Sequence, residues 1–148
     1  ESALMKHPDV AFVGAIGEPN AHSGEVPAVY VELCEGCSAD ERSLLDFARA
    51  HVSEKAAVPR YLEIVPELPK TAVGKIFKPD LRRRAIKRVY DEALAAAGLE
   101  ARVAEVIEDR RRGLVALIDP GPGPRDEAAV AAALGAFVTP WDWIGEIR

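Results

Sequence analysis

The sequence predicts an α+β fold, because strand-like and helix-like patterns both occur along its 148 residues. Short apolar runs bounded by proline and glycine predict strands. Longer segments that repeat apolar residues every three or four positions predict amphipathic helices. Apolar residues make up 49% of the chain and charged residues 29%, a balance typical of a globular protein and not of a disordered one.

Composition also narrows the function classes. The chain has 24 acidic and 19 basic residues and a net charge of −5, whereas a dedicated nucleic-acid-binding protein is usually basic. Two cysteines are too few for a disulfide-built secreted scaffold, so we expect a cytoplasmic protein. No apolar run approaches the ~18 residues that a membrane span requires. The chain begins at Glu1 and not at methionine, so we expect a piece of a longer polypeptide.

The first predicted elements are two strands and a helix. The run 10–16 is apolar on both faces, which predicts a strand covered on both sides. The run 26–34 alternates in polarity and predicts a second strand with one face more covered than the other. Ser38 and Glu41 have the spacing of a capping box, which predicts the start of a helix with one apolar stripe. That helix is expected to end near Ser53.

The middle of the chain predicts a strand, a loop and a long helix. Residues 61–65 form a short apolar run, and residues 67–76 are rich in turn-forming residues and lysine. Pro79 suits the first position of a helix, where its missing N–H would go unused. The apolar stripe that follows predicts a helix to about Ala97, ended by Gly98.

The C-terminal part carries a β-β-α(-β) pattern. Segments 103–108 and 114–118 predict two strands around a basic turn, and 120–124 alternates proline with glycine as an extended linker. Residues 126–134 predict an alanine-rich helix, and 137–138 a last short strand. This order is compatible with a second sheet and with strands added to the first, and both remain open from the sequence.

Ordered landmarks in the first half of the chain resemble the C-terminal domain of the adenylate-forming acyl-CoA synthetases, a superfamily that includes luciferases and the adenylation domains of peptide synthetases. The resemblance runs from Glu1 to about Arg84, and five matches in order are much more specific than one. The landmarks are His7-Pro8-Asp9-Val10, Gly24-Glu25-Val26-Pro27, Lys55 with Val58-Pro59-Arg60, Leu68-Pro69-Lys70-Thr71-Ala72-Val73-Gly74-Lys75-Ile76, and Leu81-Arg82.

The resemblance implies a fold and a division of the chain. Residues 1–97 would form a small lid domain with a central, mostly antiparallel three-stranded sheet flanked by helices. Residues 98–148 would be a C-terminal extension that the general family pattern does not include, and its role is unassigned.

The resemblance also implies a reaction. In the family, a large N-terminal domain, absent from this chain, binds ATP and a carboxylic acid, and magnesium accompanies the ATP. The acid is converted to an acyl-adenylate with release of pyrophosphate, and coenzyme A (CoA) then takes the acyl group and AMP leaves. The C-terminal domain closes as a lid and rotates between the two steps. The chain by itself is expected to have no synthetase activity, to bind no nucleic acid and to contain no membrane span.

By resemblance, Lys75 is the lysine that enters the site during adenylation. A carboxylate attacking an α-phosphorus brings two anions together, so a preplaced ammonium stabilises the transition state most. Gly74 beside it would let the loop change conformation. A solvated loop lysine is the alternative, which the upstream landmarks disfavour. The resemblance also implies that Lys75 is open to acetylation, which would remove the charge that adenylation needs.

Other cations are candidates for the CoA-binding face. Lys55 and Arg60 could hold the CoA nucleotide, and Arg49 with His51 lies where some family members contact a CoA phosphate; solvated surface roles are the alternatives. The basic stretch of residues 82–88 predicts mainly a solvated helix face. No residue is assigned to a metal, since the two cysteines in CxxC spacing lack a second pair of ligands.

Two further functions stay open from the sequence. The chain could be a stand-alone binding or interaction module that keeps the lid fold. RNA binding through the basic helix is the third possibility, although no aromatic ladder accompanies that helix.

Overall fold

The computed structural model describes residues 1–145. Within them the chain forms six strands, three α-helices and two short 3₁₀ turns, Leu4–Lys6 and Lys55–Ala57. The larger elements are β1 (Val10–Asn20), β2 (Gly24–Leu33), α1 (Glu41–His51), β3 (Tyr61–Ile64), α2 (Lys78–Ala96), β4 (Arg102–Asp109), β5 (Gly113–Asp119), α3 (Glu127–Leu134) and β6 (Trp141–Trp143).

These elements pack as two compact units. The first unit contains residues 1–17 and 26–82, and the second contains residues 18–25 and, of the described chain, residues 83–145. The dividing point lies inside α2, so residues 78–82 of this helix belong to the first unit and the rest of the helix belongs to the second. The resemblance implies a different kind of division, in which the family domain ends at residue 97 and an extension follows. That boundary stays a prediction.

The sheet of β1, β2 and β3 has the strand order β1-β2-β3. Only three residues connect β1 to β2, a length that joins antiparallel neighbours. β3 pairs in parallel with β2, with Val29 opposite Leu62, because the chain returns through α1 before it forms β3. The α+β class and the three-stranded sheet are confirmed, and the sheet is mixed, with one antiparallel and one parallel pair.

Helix α1 covers this sheet through Leu44 and Ala48, which are fully buried. Its N-terminal cap is Asp40, whose Oδ1 accepts from the backbone N–H of Ser43 at 2.7 Å. That backbone hydrogen bond holds the pKa of Asp40 below its ordinary value. The capping box predicted from Ser38 is therefore wrong. Glu41 turns away from the cap, and its Oε2 accepts from the N–H of Ile64 at 2.9 Å.

The second unit has its own sheet of order β4-β5-β6. The sequence is compatible with a second sheet and with strands added to the first, and the structure has a second sheet. β4 and β5 are antiparallel, and β6 joins β5 in parallel. The predicted last strand at 137–138 is wrong, because the strand forms at Trp141–Trp143 and Phe137 packs against the core. The buried core contains Ile86, Tyr90, Leu94, Val103, Ala116, Ile118, Val130, Leu134 and Trp143.

Tyr90 joins α2 to the chain that precedes β6. Its side chain is fully buried, and its hydroxyl donates to the carbonyl oxygen of Thr139 at 2.6 Å. Burial raises the pKa of Tyr90 to about 12, so the hydroxyl remains a donor at physiological pH.

None of the helices in residues 1–145 combines the length and the apolar character that a membrane crossing requires.

Candidate functional site

The segment predicted as a loop around Lys75 is a small β-hairpin, here named the lysine hairpin (residues 69–77). The N–H of Phe77 donates to the carbonyl of Pro69 at 2.8 Å, and Lys70 and Ile76 form an antiparallel bridge. Backbone pairing on both sides gives the segment a fixed shape that a solvated loop would lack.

The tip of the lysine hairpin depends on Thr71 and Gly74. The N–H of Gly74 donates to the Thr71 carbonyl at 2.9 Å and closes a turn, and the N–H of Thr71 donates to the Lys75 carbonyl at 2.7 Å. Gly74 has φ +82°, a left-handed conformation that glycine adopts without steric cost. The Thr71 Oγ1 also accepts from the N–H of Lys75 at 3.2 Å. The backbone of Lys75 is therefore held from two directions.

The side chain of Lys75 is exposed. Across residues 1–145 its ammonium has neither an ion-pair partner nor a hydrogen-bond acceptor. Val73, two residues before Lys75 at the tip, is 80% exposed. A free cation and an apolar side chain on a short rigid hairpin can enter a cleft and stabilise an anion there.

The base of the lysine hairpin is attached to β2 through Glu32. Its Oε1 accepts from the N–H of Leu68 and from Nζ of Lys70, both at 2.8 Å. Burial raises the pKa of the Glu32 carboxyl, but the hydrogen bonds from Lys70 and Leu68 outweigh it and leave the pKa below its ordinary value. The sequence pattern does not single out Glu32 as a site residue. Its signal, a carboxylate within the otherwise mostly apolar run 26–34, is visible, but its partner lies 38 residues further along the chain.

The three other predicted cations lie on other elements of the first unit. Arg49 is in the last turn of α1 and pairs with Asp46 at 3.3 Å, with both side chains mostly exposed. Lys55 is exposed in its 3₁₀ turn. Arg60 is exposed, and its N–H donates to the Pro27 carbonyl at 2.9 Å, which brings two of the sequence landmarks together. The CoA contacts assigned to these residues stay predictions.

The basic stretch on α2 has structural partners. Lys87 Nζ donates to Asp91 Oδ2 at 2.8 Å and to the carbonyl of Val103 at 2.9 Å. Arg88 forms an ion pair with the buried carboxylate of Glu18. These contacts within the second unit neutralise two of the charges that an RNA-binding surface would use, and they favour the structural interpretation of this stretch.

Cys34 and Cys37 are free and half-buried, on a turn closed by the Cys37 N–H and the Cys34 carbonyl at 3.1 Å. Burial raises the pKa of the Cys37 thiol, and the nearby Asp9 carboxylate and Cys34 thiol raise it further. A thiol with a raised pKa is a poor nucleophile at neutral pH. The Cys37 thiol is therefore not activated for nucleophilic attack.

The chain is similar to known ligases over nearly two thirds of its length. The family model described as the AMP-binding enzyme C-terminal domain matches residues 1–75. The marinolic acid–CoA ligase of a Pseudoalteromonas species is 38% identical over 96 residues, which are 65% of this chain and 15% of that protein. A long-chain fatty acid–CoA ligase of Escherichia coli is 38% identical over 93 residues, 63% of this chain and 16% of that protein.

A solved structure agrees with these relatives. The acyl-CoA synthetase of Brucella canis aligns with 55% of this chain at 35% identity and a TM-score of 0.51, and the aligned part is 16% of that protein. The chain thus spans about a sixth of the length of the proteins it resembles. The family match reaches from Glu1 to Lys75, the end of the lysine hairpin tip. The chain belongs to the AMP-binding enzyme C-terminal domain family.

Proposed function

We propose that this chain is the C-terminal lid domain of an ATP-dependent acyl-CoA synthetase, an AMP-forming acid–thiol ligase. In this proposal Lys75 is the adenylation lysine, and another face of the same domain contributes to CoA binding. The observation that carries the proposal is the position of Lys75, exposed and unpaired within residues 1–145 on a rigid hairpin, in a chain of this family.

Lys75 would act as an electrostatic catalyst. When the carboxylate of the substrate attacks the α-phosphorus of ATP, negative charge accumulates on the phosphoryl oxygens. A lysine ammonium is a compact charge on a long stem, so it reaches a site that closes only when the lid is in place. Because the lysine hairpin fixes the Lys75 backbone, little reorganisation is needed when that charge develops.

The remaining predicted residues fit the second step. Arg49, Lys55 and Arg60 are exposed cations of the first unit, and we propose that they contact the phosphates and nucleotide of CoA. Gly74 allows the hairpin tip its left-handed turn, and a stable tip can leave the site as one piece when the domain rotates.

ATP and CoA would be bound mainly outside this chain. Residues 1–145 contain no cluster of three or more His, Cys, Asp or Glu side chains arranged to hold a metal. In this proposal the magnesium that accompanies ATP is held by the nucleotide and the large N-terminal domain. We expect the chain by itself to form no acyl-adenylate. We also expect the parent enzyme to be located in the cytoplasm, where ATP and CoA are available.

The test is pyrophosphate release by the full-length parent with a panel of carboxylic acids, with and without Lys75→Ala. We expect the substitution to slow adenylation on the order of 10²–10³-fold, while the enzyme still converts supplied acyl-adenylate to the thioester. Lys6→Ala, which removes another exposed lysine of the first unit, is the matched control. Unimpaired adenylation by the Lys75→Ala enzyme would refute the assignment and favour the interaction-module alternative.

A further inference from the structure

We propose that Glu32 is a positioning residue for Lys75: it fixes the base of the lysine hairpin on the first sheet, so that the Lys75 ammonium is presented in one place. This inference rests on the proposed function, because Glu32 acts through the lysine that we assign to adenylation. The two claims can fail separately in the experiment below.

One carboxylate oxygen holds the hairpin base by two different donors. Oε1 of Glu32 accepts from the backbone N–H of Leu68 and from the side chain of Lys70, each at 2.8 Å. The backbone donor fixes the chain path, and the ammonium adds a charge-assisted bond. The side chains of Lys70 and Glu32 are only 22% and 18% exposed, so solvent and salt screen this pair less than a surface ion pair.

Lys70 is held from further sides. Its Nζ also approaches the carbonyl of Leu68 at 3.4 Å and lies 4.5 Å from the ring centroid of Phe12. A cation over an aromatic ring at this distance is attracted to the ring face. Phe12 is on β1 and Glu32 on β2, so neighbouring strands hold the same ammonium. Phe12 is 40% exposed on the sheet, and the Lys70 ammonium is a contact for its ring there.

The restraint passes from Lys70 to Lys75 through backbone bonds. Lys70 is bridged to Ile76, and the N–H of the next residue, Thr71, donates to the Lys75 carbonyl at 2.7 Å. A displacement of Lys70 therefore displaces the strand that carries Lys75. Since misplacing a catalytic group by about 1 Å can cost on the order of a hundredfold in rate, the restraint bears directly on adenylation.

Glu32 also makes the two lysines of the lysine hairpin electrostatically different. It neutralises Lys70 and leaves Lys75 as a free cation in the lysine hairpin. Without Glu32, the Lys70 ammonium would lose its partner and could compete with Lys75 for a phosphate. Both consequences predict a slower adenylation step and leave the thioester step, which uses another face of the domain, unaffected.

The test compares Glu32→Gln with Glu67→Gln in the full-length synthetase. Glutamine at position 32 can still accept from the Leu68 amide but carries no charge, and Glu67 is an exposed carboxylate just before the lysine hairpin that is free of ion pairs within residues 1–145. We expect Glu32→Gln to lower kcat for pyrophosphate release about tenfold to a hundredfold, with KM for ATP and the rate of thioester formation from supplied acyl-adenylate unchanged. Glu67→Gln should match the wild type.

A double variant distinguishes positioning from a general structural role. If Glu32 acts through Lys75, Glu32→Gln in a Lys75→Ala background adds no further loss. Lys70→Met removes the same ion pair from the other side and should reproduce the Glu32→Gln profile, which covers the case in which one variant folds poorly.

Two results would overturn the inference and leave Lys75 assigned: wild-type adenylation by Glu32→Gln, or an equal loss in both half-reactions. Adenylation that survives Lys75→Ala would overturn the proposed function and this inference together.

Discussion

Lys75 owes its position to residues that do not themselves carry its charge. Thr71 binds the Lys75 backbone through both its N–H and its hydroxyl, and Gly74 supplies the left-handed turn before it. In an ordinary solvated loop the lysine would sample many positions, and fixing it would cost conformational entropy at the moment of the proposed reaction. In the lysine hairpin the backbone is ordered already on folding.

Gly74→Ala tests this role of the turn. Within residues 1–145, no atom beyond Gly74 and its two chain neighbours lies within 4 Å of an added Cβ, so the substitution strains only the backbone at φ +82°, at a cost of about 1–2 kcal/mol. We expect faster amide exchange at Thr71 and Lys75 by NMR and a slower adenylation step in the parent enzyme. Gly74→Asn, which tolerates the left-handed region better, should fall between alanine and the wild type. Equal exchange in all three proteins would contradict a conformational role for this glycine.

The sequence predicts Lys75 and Gly74 as site residues but not Glu32, and the reason is physical. A motif records residues that are close along the chain, whereas Glu32 meets Lys70 only after β2 and the hairpin base have folded together. The Asp40 cap is a subtler case. Both Ser38 and Asp40 are residue types that can cap a helix. The sequence favours Ser38, because Glu41 has the spacing that would let its side chain reach back to the Ser38 amide. In the structure Asp40 is the cap, and the Glu41 side chain accepts from the N–H of Ile64.

At the scale of elements, β1 and α2 meet over a glycine. Gly14 is buried in β1, and a Cβ added there would lie 2.4 Å from Cδ1 of Leu81 and 3.0 Å from Cγ2 of Ile76. Leu81 is 2% exposed and belongs to the last of the sequence landmarks. The missing side chain in β1 thus allows the first turn of α2, which follows the lysine hairpin, to approach the sheet.

We expect Gly14→Ala to destabilise the first unit by about 1–3 kcal/mol, because the added methyl group forces Leu81 out of its packed position. Chemical denaturation followed by far-ultraviolet circular dichroism measures the change. Combining Gly14→Ala with Leu81→Ala should cost less than the sum of the single changes, since the methyl group then fills part of the cavity. Additive losses would show that the two side chains do not compete for the same space.

Local pattern predicted most helices and strands and failed at β6. Helix α3 follows Asp126, which accepts from the Ala129 N–H at 3.1 Å, and α2 ends before Gly98 at φ +76°, as the sequence indicates. β6 has only three residues and forms because β5 offers it a parallel edge. Such a strand is selected by its partner, so its own residues carry little signal.

At the scale of the whole molecule, α2 has buried residues in both units. Leu81 belongs to the first unit, whereas Ile86, Tyr90 and Leu94 belong to the second, each at most 5% exposed. The extension after Ala97 supplies most of the other residues of that second core. The predicted family boundary and the packing of side chains therefore divide the chain at different points.

Ending the chain after Ala97 should uncover the apolar face of α2. Burying a large apolar side chain is worth roughly 1.5–3 kcal/mol, so losing the cover over three of them should reduce stability markedly. We expect the shortened chain to bind a hydrophobic dye and to show a lower unfolding midpoint. Polar replacements of Ile86 and Leu94 in the shortened chain should reduce dye binding. A shortened chain that binds no dye and unfolds at the original midpoint would show that the extension is separable at residue 97.

The placement of the aromatic residues decides how unfolding can be observed. Both tryptophans of the chain, Trp141 and Trp143, lie on β6 in the second unit. Indole emission therefore reports on that unit and is silent about the part that carries the lysine hairpin. Two of the three tyrosines, Tyr30 and Tyr61, lie in the first unit. Selective tryptophan excitation would therefore follow the second unit by itself, without introducing a label.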